Sequence, residues 1–246
     1  MTNWQFPTSE PVDLQIQVPA GNITVLAAAR PNATVTIDST RGGSDDRFLS
    51  STRVEFDQPT LSINTPMRGL FSSGGSLNVT VELPEGSSCR VRTASADVNC
   101  SGELAGADIH TASGDIRVEH VTGLADIDTA SGDVHVQAAA EARAKSASGD
   151  VTLGRISGPA SVSTASGDVR IDQAGGPKTD VKSASGDIRV AVTPGIGVYQ
   201  DLSSLSGTVS SELEPAEESG GPDMTLHCRT ISGDVRVSRA AQPAAR

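Results

Sequence analysis

Seven aspartates recur at the end of a short motif of the type Thr/Ser-Ala-Ser-Gly-Asp: Asp97, Asp115, Asp133, Asp150, Asp168, Asp187 and Asp234. The first six are separated by 18, 18, 17, 18 and 19 residues. Carboxylates at so regular a spacing could hold calcium, work in acid–base pairs, or cap backbone amides. Calcium β-rolls use Gly-Gly-x-Gly-x-Asp repeats, and that pattern does not occur here. A carbohydrate-active β-helix enzyme needs two carboxylates at a set separation and aromatic platforms. No Trp, Tyr or Phe stands between Gly74 and Val198. Aspartate at a tight turn accepts backbone N–H groups, which is the role expected of this column. Stacked at ~4.8 Å, unscreened neighbours would repel by roughly 0.9 kcal/mol in water. Two residues on, Arg117, Arg170, Arg189 and Arg236, with His135 and Thr152 between them, supply a largely basic column to offset that. No catalytic, cofactor-binding or metal-ligating residue is assigned.

The remaining reactive residue types give weaker signals. Thr93, Thr111, Thr129, Ser146, Thr164, Ser183 and Thr230 open the motifs and are expected to form an inward hydroxyl ladder. His110, His120, His135 and His227 fall at scattered repeat positions and form no ligand set. Cys89, Cys100 and Cys228 align with the columns of Ala107, Val118 and Ile109, all inward, and read as reduced buried thiols. Asn22, Asn32 and Asn78 each begin an Asn-x-Thr triplet and are read as ordinary strand polarity. No P-loop, Gly-x-Ser-x-Gly elbow or dinucleotide fingerprint is present.

A fixed period near 18 residues marks a stacked repeat architecture. In the unit 107–124, Ile116 and Val118 alternate with Asp115, Arg117 and Glu119, so apolar and polar residues take opposite faces. Two turns, at Ser113-Gly114-Asp115 and Thr122-Gly123, bound the strands. Strands this short cannot bury one face alone. Stacking units in register covers it. The expected fold is all-β, a parallel β-solenoid (single-stranded β-helix) with ~18-residue coils. At 2% aromatic content the composition suits a narrow interior filled by small aliphatic columns.

Residues 1–10 are expected to form an arm or cap, with Trp4 and Phe6 closing one open end. Residues 11–88 read as irregular first coils, with alternating segments at 14–18, 23–26, 35–37, 54–56, 61–63 and 77–83. Loops are expected at 41–51 and 65–76, the latter with an apolar tip of Met67, Leu70 and Phe71. The regular array follows at 89–237, interrupted by the acidic segment 212–223, and 224–237 reads as the last coil. Residues 238–246 read as a frayed tail. The net charge of −11 argues against nucleic-acid partners. No long apolar run suggests membrane insertion, and no basic-then-apolar leader opens the chain, so a cytoplasmic location is expected.

The TASGDV and SASGDV repeats, the LPEGS turn before them and the terminal TISGDVRVSR resemble the bacterial β-strand-repeat family of “putative adhesins”, also called toastrack domains. The resemblance covers nearly the whole chain. It implies a β-solenoid without catalytic residues and, in some members, an association with envelope-stress systems. The expected function is a non-enzymatic scaffold for protein interaction or self-assembly, needing no cofactor. An exported adhesin or envelope-sensing domain is the alternative, and a carbohydrate-active enzyme a minor one.

Overall fold

The structure is a computed structural model describing residues 2–39, 49–66, 76–213 and 223–241. The apolar tip at Met67, Leu70 and Phe71, residues 41–48, most of the acidic segment 212–223 and the tail beyond 241 lie outside the described residues.

Strict alternation yields strands wherever it occurs. In chain order these are β1 (Thr2–Pro7), β2 (Asp13–Ala28), β3 (Asn32–Ser39), β4 (Arg53–Asp57), β5 (Thr60–Asn64), β6 (Leu77–Pro84), β7 (Ser88–Leu104), β8 (Gly106–Ser113), β9 (Ile116–Ser131) and β10 (Val134–Ser148). There follow β11 (Val151–Ile156), β12 (Ala160–Ser166), β13 (Val169–Ala174), β14 (Lys178–Ser185), β15 (Ile188–Val192), β16 (Val198–Ser206), β17 (Val209–Ser211), β18 (Met224–Ser232) and β19 (Val235–Arg239). Successive coils pair in parallel and in register, forming two faces around one apolar core. The column Val98, Ile116, Val134, Val151, Val169, Ile188 and Val235 is in register throughout, each residue at most 1% exposed. Burying each such side chain contributes about 2 kcal/mol.

Each coil turns two corners, and the sequence treats them differently. At the Ser-Gly-Asp corner, the glycines adopt positive φ, 129° at Gly149 for instance. A Cβ there would stand 2.3 Å from the carbonyl oxygen of Gly132, backbone against backbone. At the opposite corner, where a second turn at Thr122-Gly123 is expected, β9 and β10 run on unbroken through both faces. Pro159 and Pro177 interrupt the later coils at this corner, because proline has no N–H for the ladder.

The ends depart from chain order. At the N-terminal end, β2 is paired on one side with β7 and on the other with β5 and β6, so β5 and β6 lie outside the coil 13–28. Beyond it, β4 pairs with β5, β3 with β6 and β1 with β3, all antiparallel. Phe6 and Phe56 meet at 5.1 Å between ring centroids, and Trp4, Phe6, Val54 and Phe56 pack on the core, closing this end. At the C-terminal end, β14 pairs with β18 and β15 with β19, while β16 and β17 pair outside them. The expectation that 224–237 forms the last coil is therefore corrected: the coil 198–211 is outermost, and the chain returns to insert 224–239 beneath it. The five-residue connector 193–197 spans the gap and is held by Arg239, which donates to the carbonyls of Thr193 and Ile196 at 3.3 and 2.9 Å. The physical reason lies in the core columns. Met224, Leu226, Cys228 and Val237 are apolar and at most 1% exposed. Their counterparts in the outer coil include Gln200 and Ser211, joined by a 2.6 Å hydrogen bond. The coil with polar interior positions faces solvent.

Candidate functional site: the aspartate ladder

The Ser-Gly-Asp corners bring the expected aspartates into one column, and each side chain has a defined task. The Asp115 backbone N–H donates to Asp97 Oδ1 at 2.9 Å. The same bond repeats from Asp133 to Asp115 (3.1 Å), Asp150 to Asp133 (2.9 Å), Asp168 to Asp150 (2.8 Å) and Asp187 to Asp168 (2.8 Å). It continues from Asp234 to Asp187 at 2.9 Å and ends with Thr208 N–H on Asp234 Oδ1, also 2.9 Å. One carboxylate oxygen per coil thus ties the next corner down, satisfying an amide that the corner geometry turns away from the strand ladder. Thr208 stands on the outermost coil, where no further described coil needs an acceptor. At the other end Asn22 and Asn78 occupy the equivalent positions and bond side chain to side chain at 2.9 Å. The Asn-x-Thr triplets at 22 and 78 therefore mark the continuation of the column in uncharged form.

The second carboxylate oxygens are only partly neutralised. Arg117 reaches Asp115 at 3.4 Å, Arg236 reaches Asp234 at 2.7 Å, and Arg189 bridges Asp187 and Asp168 at 2.7 and 3.4 Å. Arg170 turns away to Asp172. His135 and Thr152 occupy the basic column beside Asp133 and Asp150, so the middle of the ladder carries the least compensated charge.

The inner hydroxyl column is not a ladder between coils. Thr111, Thr129, Thr164 and Thr230 each donate to the carbonyl two residues on, at 2.7 to 3.1 Å. At the coil spacing neighbouring hydroxyls stand too far apart to bond each other, so these four tie their own corners, while Thr93 and Thr230 also reach a carbonyl of the adjacent coil, Pro19 at 3.4 Å and Gly186 at 3.3 Å. The buried oxygens of Ser146 and Ser183 have no partner.

Among the described residues no group of three or more His, Cys, Asp or Glu could hold a metal ion. His110 and His120 lie on opposite faces of one coil, beside Asp108 and Glu119, and His227 lies on another coil beside Asp201. The three cysteines are free and buried in the expected columns. Sequence reading did not bring Cys89 and Cys100 together, although they lie on opposite faces of one coil with both side chains inward. Their thiols interact across the core; that contact, with burial, holds the Cys89 thiol well above its usual pKa. Burial pushes Cys228 up to about 12.

The strongest carboxylate cluster outside the ladder is at Asp108, which borders a shallow depression with Arg90, Gln15 and Asp126. Partial burial raises its pKa, but hydrogen bonds from Arg92 and Arg90 outweigh that and hold it below the ordinary carboxylate value. A general acid needs the opposite shift. Asp108 is a structural counter-ion.

Fold and corner chemistry together define a class: a parallel β-solenoid whose carboxylate column ties coil to coil. The chain belongs to the Toastrack DUF4097 family, whose model matches residues 12–242. Among solved structures it is similar to a “putative adhesin” from Bacteroides fragilis, at 14% identity and TM-score 0.59, covering 96% of both chains. It is also similar to a “putative adhesin” from Parabacteroides distasonis, at 13% identity and TM-score 0.54, again covering 96% of both chains. A “putative adhesin” from Parabacteroides merdae aligns at 12% identity and TM-score 0.54, over 96% of this chain and 95% of the other. At these identities the likeness is one of fold. No curated protein matches the chain.

Proposed function

We propose that this chain is a non-enzymatic β-solenoid scaffold for protein interaction or self-assembly. The observation that carries the reading is an asymmetry between its ends. The N-terminal end is covered by antiparallel strands and the ring pair Phe6–Phe56. The C-terminal coils hold Tyr199, Leu205, Val209 and Ile231, which are four of the five exposed large apolar residues among those described. Carboxylates that could do chemistry are instead occupied in holding corners together, which supports the non-catalytic part of the proposal. On this reading, calcium added to chelator-treated protein leaves the melting temperature unchanged, whereas a site filled a thousandfold over its Kd would add about 4 kcal/mol.

We place the scaffold in the cytoplasm of a bacterium, in the service of envelope-stress responses; the three free thiols fit a reducing compartment. A second reading, an exported adhesin, is favoured by the names of the solved neighbours. Fractionation of native cells, followed by cross-linking and affinity capture of the full chain, tests both. Recovery in the cytoplasmic fraction with itself or a stoichiometric protein partner supports the scaffold. Cleavage by protease added outside intact cells supports the adhesin and overturns the cytoplasmic placement.

A further inference from the structure

We propose that the outer edge of β16 binds a second copy of this chain, strand to strand, about a twofold axis passing between Leu202 and Leu202 of the second copy. The inference rests on the scaffold reading and names its partner. Among the described residues β18 is the strand partner of β16, and the other edge of β16 has none. An open edge of nine residues offers its N–H and C=O groups to another strand. If that strand is the same strand related by a twofold, the pair must be antiparallel and self-complementary.

The sequence of β16 is symmetric in the way such a seam requires. Tyr199 lies three residues before Leu202 and Leu205 three after it. An antiparallel register centred on Leu202 therefore sets Tyr199 opposite Leu205 of the second copy, and Leu205 opposite its Tyr199. Alternation puts both on the outer face, where they are 57% and 84% exposed. Ile231 lies beside Leu205 on the adjacent strand and is 57% exposed, so it extends the same apolar spot. In the regular coils the position of Leu205 and Ile231 is alanine: Ala112, Ala130, Ala147, Ala165 and Ala184. Bulky side chains enter this column only on the last two coils of the stack.

Polar residues agree with the register. Asp201 comes opposite Ser203, so no like charges meet, and Asp201 is already held by Arg229 at 2.7 Å and His227 at 3.1 Å. Leu202, packed against the core edge, faces Leu202 of the second copy across the axis. Gln200 comes opposite Ser204. Cross-strand aromatic–aliphatic pairs are a favoured form of sheet stabilisation, and this seam makes two of them by symmetry. The net charge of −11 on each copy, with Glu212, Glu214, Glu217, Glu218 and Asp223 following close behind the edge in sequence, makes association stronger as salt rises.

The test is sedimentation velocity on the full chain across a concentration series at moderate salt. The expected result is a monomer–dimer equilibrium with a Kd on the order of micromolar, tightening with salt. Tyr199→Lys combined with Leu205→Lys sets like charges across both pairs and weakens the dimer by about a hundredfold or more. Tyr199→Lys combined with Leu205→Glu sets opposite charges across the same pairs and restores association. Both positions are exposed, and an unchanged melting temperature verifies that the monomer is intact. A wild-type chain that stays monomeric at all concentrations and salts overturns the proposal while leaving a scaffold for a foreign partner standing. A dimer that survives the double lysine variant, or a charge-paired variant no better than the double lysine, also overturns it, because the contact then lies elsewhere.

Discussion

Replacing Asp150 separates the two things its carboxylate does. Asp150 Oδ1 accepts the Asp168 N–H at 2.8 Å, and its charge lies one coil from Asp133 and one coil from Asp168. Losing an acceptor of this kind costs about 1–2 kcal/mol, at the low end here because the site is exposed and water can replace it. Removing the charge relieves two repulsions of roughly 0.9 kcal/mol each before screening. Asp150→Asn keeps an acceptor and removes the charge, so it stabilises the protein by about 0.5–1 kcal/mol at low salt, fading to nothing as salt screens the column. Asp150→Ala loses both, so it is near neutral at low salt and destabilising by about 1 kcal/mol at high salt. Urea unfolding of wild type and both variants at low and high sodium chloride reads these differences directly; in melting temperature they amount to about 2–4 °C per kcal/mol. Equal behaviour of the Asn and Ala variants at every salt concentration would refute the capping role. An Asn variant less stable than wild type at low salt would refute the repulsion.

Three further outcomes follow from the same geometry. Val151→Asp introduces a charge at a core position that is 0% exposed and destabilises by about 4 kcal/mol or more, whereas Arg170→Asp, on the exposed face, costs about 1 kcal/mol or less; thermal melts compare them. The thiol pKa of about 12 at Cys228, the raised pKa of Cys89 and the burial of all three cysteines make the native protein inert to a thiol reagent at pH 8, with full reaction only in denaturant. Asp108 has a folded pKa below its unfolded value, so its contribution is present above the unfolded pKa and is lost as pH falls through the folded one. Asp108→Asn is accordingly less stable than wild type at pH 7, and the gap between them closes in acid; urea titrations at pH 7 and pH 3 measure it.

The repeat period alone carries the solenoid, the buried columns and the inward cysteines, because alternation of period two and a constant coil length leave one register that buries the Val and Ile residues of coils 89–192. The aspartate column was legible as a corner feature, since Asp after Gly at a turn has amides within reach. Chain order at the ends was not. A coil of the right length and alternation fits equally well above or below its neighbour, so the period cannot tell 198–211 from 224–239. The signal that separates them was present: Gln200 and Ser211 occupy core columns, and Thr208 replaces the aspartate. Polar residues in core columns mark a coil with solvent beyond it. The pairing of Cys89 with Cys100 was hidden for a different reason: repeat alignment reports columns along the stack and is silent on which columns face each other across it.

The inserted coil 224–239 has a consequence for how the chain can be made. Emerging from the ribosome in order, residues 198–211 appear before the strands on which, among the described residues, they rest, β18 and β19. The array can zip up as it is synthesised only as far as β15. The next segment must wait, undocked, until residues 224–239 arrive and slide beneath it. A nonsense codon in the inserted stretch therefore removes two layers rather than one, because the coil already translated is left with no shelf. Copying a repeat to lengthen such a protein is compatible with the coils between β7 and β15, where the order of translation and the order of stacking coincide, and not with those beyond β15, where they do not.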